Sequence, residues 1–89
     1  MVYNKQDFIM IQDAMNAIKM AECENFIKDF GDPYGGFSLC SDPQLNEIKR
    51  LIQFTGHSGG SFVSTLRNCQ YLLNHPRKWI ELQNQYQSE

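Results

Sequence analysis

Apolar side chains recur at helical spacing along most of the chain. Phe8, Ile11, Met15 and Ile18 follow one another at steps of three and four, with Ala14 widening the stripe, so they share one face of a helix. Asn4 opens this segment as an N-cap, Asp7 stands three residues on, and Tyr3 and Phe8 are spaced as a hydrophobic staple. Beyond Ile18 the apolar set becomes Cys23, Phe26, Ile27 and Phe30. The step of five between the two sets turns the stripe by roughly 140°, at about 100° per residue. The first helix therefore either breaks between Lys19 and Glu22 or touches two different partners. Gly31 followed by Asp32-Pro33 ends it.

Residues 31–40, with the adjacent glycines Gly35 and Gly36, read as one long loop anchored by Tyr34, Phe37 and Leu39. Ser41 and Gln44 match a capping box, with Pro43 in the first turn of a helix that buries Leu45, Ile48, Leu51 and Ile52. Phe54 projects off that stripe. Gly56 closes the helix and Ser58 starts the next, whose inward positions are Phe62, Leu66, Cys69 and Leu73, with Tyr71 opposite them beside Ser64. After Asn74-His75-Pro76, Trp79, Leu82 and Tyr86 give the stripe of a last helix. No segment holds a period of two between hairpin signals. The pattern predicts an all-α fold: one small four-helix domain over residues 1–89, with a kinked or broken first helix and one long Gly-rich loop.

Composition narrows the function classes. Eighty-nine residues suffice for one core, and 42% apolar with 20% charged side chains suits a globular chain. Eight basic against ten acidic side chains leave a net charge of −2, without the positive field of a nonspecific nucleic-acid binder. That charge is unevenly spread: residues 1–44 carry −4 and residues 45–89 carry +2. Asn and Gln are abundant, at seven and eight. Cys23, Cys40 and Cys69 match neither a disulfide scaffold nor a zinc-ligand spacing, so reduced thiols are expected. The opening residues lack a basic segment followed by an apolar run, and no stretch approaches the roughly 20 apolar residues of a membrane span. The expectation is a cytoplasmic protein with no membrane association.

One segment invites a chemical reading. Gly56-His57-Ser58-Gly59-Gly60 fits the G-x-S-x-G pattern of the α/β-hydrolase nucleophile elbow. That chemistry needs a strand before the serine and an acid and histidine after it. Here a helix precedes Ser58, and the downstream His75 comes before the acids Glu81 and Glu89. Catalysis is therefore not expected. As a helix start, Ser58 caps while Gly59, Gly60 and Ser61 present backbone amides to an anion, with His57 and Arg67 as cationic support. Close packing of two helices through the glycines explains the same residues. His57 and His75 share no ligand spacing with a cysteine or carboxylate, so neither metal nor cofactor is expected. A helix-turn-helix reading would use Arg67, Asn68 and Gln70, but a single basic residue cannot dominate phosphate contact.

The helix, Gly-His-Ser-Gly-x-Ser turn and second helix from Leu45 to about Leu73 resemble a segment of small bacteriophage-encoded proteins, through His57, Ser58, Gly59 and Ser61. Gly60 departs from it, standing where that segment carries a bulky apolar residue. The resemblance implies a phage or prophage origin and an accessory role in a bacterial host cytoplasm, and no reaction. The expected function is a non-enzymatic interaction protein that modulates or inhibits a bacterial host or defence macromolecule. Phe54, Tyr71, Tyr34 and Phe37 are the candidate partner surface, with a homodimer as a further option. The alternative is a nucleotide or phosphate binder using the Ser58–Gly60 helix start.

Overall fold

The first helix, α1 (Lys5–Met20), begins where its sequence directs. A computed structural model describes residues 3–30, 43–52 and 59–87. In it Asn4 Oδ1 accepts from the Asp7 amide at 2.7 Å, and Asp7 Oδ2 accepts from the Asn4 amide at 3.2 Å. Two amides that the helix itself leaves without partners are thereby satisfied reciprocally. Tyr3 and Phe8 are both buried beneath this turn, completing the staple.

The stripe rotation after Ile18 is resolved by a break. The Glu22 amide donates to the Lys19 carbonyl at 3.0 Å and the Cys23 amide to the Ile18 carbonyl at 2.9 Å, the paired bonds of a Schellman terminus. Glu22 adopts the left-handed conformation this terminus requires, with φ of 55°, where glycine is the usual occupant. Ile18 and Cys23 are buried together across the break. Then α2 (Glu24–Asp29) starts on a new axis and buries Ile27, with Phe26 and Phe30 half-buried and edge-on to each other at 4.9 Å.

Three further helices follow: α3 (Pro43–Ile52), α4 (Gly59–Leu73) and α5 (Pro76–Gln87). The described residues thus form five helices and no strand, which makes the fold all-α. The count exceeds the expected four because the first segment divides into α1 and α2. The loop 31–40 and the caps Ser41 and Ser58 lie outside the described residues.

Helix α1 packs on each of the other four helices, and α4 packs on α1, α2 and α5. Phe62, Leu66 and Cys69 are buried as expected, and Leu72, not foreseen, joins them in place of the half-buried Leu73. All five helices feed one hydrophobic cluster. Each fully buried aliphatic in it contributes about 1.5–3 kcal/mol relative to exposure. Phe8 anchors α5, with its ring 5.6 Å from Trp79 and 5.2 Å from Tyr86. The Tyr86 hydroxyl donates to the Tyr3 carbonyl at 2.7 Å. No helix among the described residues is long and apolar enough to cross a membrane.

Candidate functional site

Of the expected anion site, His57 and Ser58 lie outside the described residues, as do Phe54, Tyr34 and Phe37 of the expected partner surface. Gly59, Gly60 and Ser61 form the opening turn of α4, and Arg67 lies two turns farther along, half-buried. The α3 residue Lys49 brings its ammonium to 5.8 Å from the centroid of the Phe62 ring, a cation held over an aromatic face. Next to it, Arg50 binds Glu47 through both Nε and Nη2. That hydrogen-bonded pairing holds the Glu47 carboxyl below the usual carboxylate range and raises the Arg50 guanidinium.

Tyr71, expected opposite the buried stripe, is half-buried against the core. The exposed His75 ring stacks on it at 4.1 Å, and His75 Nδ1 lies 2.7 Å from the Tyr71 carbonyl. A carbonyl only accepts, so this distance puts the ring proton on Nδ1. Cys23 and Cys69 are free thiols and both are buried. Burial pushes the Cys69 thiol far up, away from the thiolate that nucleophilic chemistry needs. Among the described residues no three His, Cys, Asp or Glu side chains group as metal ligands.

Gln70 of α4 does a different job from the one its sequence position suggested. Gln70, grouped above with Arg67 and Asn68 as a base-reading residue, faces inward instead. Its Nε2 donates to the carbonyls of Ile27 and Phe30, while Asn74 Nδ2 donates to the Lys28 carbonyl at 3.2 Å. A six-residue helix satisfies few of its last carbonyls by itself, and here Gln70 on α4 and Asn74 just past its end donate to them. Gln70 is buried because α2 ends on it.

Among the described residues the large exposed apolar side chains are Ile9 and Met20 on α1 and Ile80 on α5, so the outer face of α1 carries two of the three. Ile9, Asp13, Asn16 and Met20 are all exposed and succeed one another at steps of four, three and four, so they form a stripe directly opposite the buried one. Ile9 is 44% and Met20 71% exposed. Beside this stripe a groove of about 200 Å³ runs between α1 and α3, lined by Asp13, Asn16, Ala17, Met20 and Leu51. Sequence reasoning missed it by reading α1 only for its buried side, although Ile9 and Met20, apolar and off that stripe, were the signal. No protein family matches the chain, and no curated protein or solved structure matches it either.

Proposed function

We propose that this chain is a non-catalytic helical module that binds another macromolecule through the outer face of α1 and the α1–α3 groove. The observation that carries this reading is Met20, 71% exposed at the rim of the groove. A long, unbranched thioether adapts to varied apolar surfaces, and methionine is over-used at binding surfaces for that reason. Leu51 extends the apolar patch from the α3 side, and Asp13 and Asn16 give it polar edges. The described groups with chemical potential have structural occupations that support a binding role: Cys69 in the core, Gln70 and Asn74 on α2, His75 on Tyr71. The resemblance of residues 45–73 to phage-encoded proteins favours a bacterial host or defence protein as the partner, with the chain acting on it as a modulator.

Affinity capture from a bacterial lysate, run with the natural chain and with Met20→Glu, tests this. The expected result is a defined partner whose recovery falls at least about tenfold in the variant, since a charge buried in an apolar contact is strongly unfavourable. The thermal midpoint should be unchanged, because an exposed substitution alters stability by no more than about 0.5 kcal/mol. Equal recovery with both chains would sink the proposal. A thermal shift with phosphorylated metabolites that Gly60→Glu removes would replace it with the ligand-binding reading. Ester turnover lost in Ser58→Ala would overturn the non-catalytic assignment.

A further inference from the structure

The exposed stripe of α1 is symmetric about its own midpoint. Ile9, Asp13, Asn16 and Met20 are arranged about a midpoint between Ala14 and Met15, so that reversing the helix exchanges Ile9 with Met20 and Asp13 with Asn16. A second copy laid antiparallel across the same face therefore sets apolar against apolar at both ends. In the middle it sets carboxylate against amide twice. We propose that this face pairs with a second copy of the chain about a two-fold axis passing beside residues 14 and 15, each α1 seated along the other's α1–α3 groove.

The matching is what a two-fold interface demands, since one patch must complement itself. Ile9 meets the Met20 of the partner copy, and the two contacts cover apolar side chains that are 44% and 71% exposed in the single chain. Asn16 Nδ2 donates to the Asp13 carboxylate opposite, a charge-assisted bond made twice by symmetry. Leu51, at the groove wall, flanks the seam from both sides. A parallel arrangement would instead place Asp13 against Asp13 and leave the carboxylates facing each other. Four side chains per copy on one helix face make a small contact beside the roughly 800 Å² per partner of a standard interface, so the dimer is a weak one that forms at about 10 μM to 1 mM. The inference rests on the proposed function only for the choice of surface.

Sedimentation equilibrium across that concentration range tests association, and thiol cross-linking tests the register. The mass should rise from one 10.4 kDa chain toward two. Asn16→Lys, which turns both central contacts into ion pairs, should tighten association by about fivefold. Asp13→Lys combined with Asn16→Lys, placing four lysines at the seam, should leave monomers. In a Cys40→Ser background, oxidation of Ile9→Cys/Met20→Cys should give covalent dimers. Ile9→Cys alone should not, because the register separates the two thiols by about 16 Å along the axis at 1.5 Å per residue. Monomers at every concentration, or cross-linking of Ile9→Cys alone as fast as the double variant, would overturn the pairing. A monomeric chain that still captures a Met20-dependent partner refutes the dimer and leaves the proposed function standing, and a dimer that captures nothing does the reverse.

Discussion

Replacing Glu22 with glycine should make the protein more stable, although it removes a whole side chain. Glu22 is exposed and holds φ of 55° at the terminus of α1. For a residue with a Cβ, the left-handed conformation costs about 1–2 kcal/mol. Glycine removes that cost but returns about 0.5–1 kcal/mol through its greater freedom in the unfolded chain. The net gain is about 0.5–1 kcal/mol. For a domain this small it raises the thermal midpoint by about 2–8 °C. Thermal and urea denaturation followed by far-ultraviolet circular dichroism would measure it, with Glu22→Ala as a control that keeps the Cβ and stays near the natural value. Glu22→Val should fall below both, since a β-branched residue tolerates positive φ worst. If Glu22→Gly instead lowers stability by about 1 kcal/mol, the cost of glycine inside a helix, then residues 20–24 form a continuous helix with no break at Glu22.

Other consequences can be checked with the same measurements. Gln70→Leu keeps the volume but removes the buried amide's bonds to the Ile27 and Phe30 carbonyls, and should cost about 1–3 kcal/mol in urea denaturation. Tyr86→Phe removes only the bond to the Tyr3 carbonyl and should cost about 0.5–1.5 kcal/mol, with faster amide exchange in the first turn of α1. Burial raises both the Cys69 thiol and the Tyr3 phenol above their ordinary 9.0 and 10.0. Their contributions are therefore complete below about pH 9 and decline as pH rises further, because the unfolded chain releases these protons first. The alkaline fall in urea midpoint should begin near pH 9 and be shallower in Cys69→Ala.

The start of α1 was readable residue by residue because every group in it is local: Asn4, Asp7, Tyr3 and Phe8 lie within one turn. The break after Met20 was readable only as a rotation of the stripe. Its position depends on Glu22 taking a conformation for which the chain offers no glycine signal. Gln70 could not be placed from its neighbours at all. What buries it is the end of α2, some 40 residues earlier, and a polar residue on a helix looks solvent-facing until the carbonyls it serves are known. Leu72 was passed over for a related reason, since α4 is covered on three sides and its buried face is wider than a single stripe. For the candidate surface, the alternation on the outer face of α1 was present in the sequence. The α3 wall that turns it into a groove depends on which helix packs beside it.

The location of α1's partners has a consequence for how the protein is made. The apolar face of α1 is complete once Ile18 has been synthesised, but the residues that cover it include Leu66, Leu72 and Leu82. At about 5–20 residues per second, ribosomes need roughly 3–13 s to reach Leu82. During that interval the buried face of the first helix has only part of its cover, from Ile27, Leu45 and Ile48. The bond from the Tyr86 hydroxyl to the Tyr3 carbonyl then ties the last helix to the residue before the first.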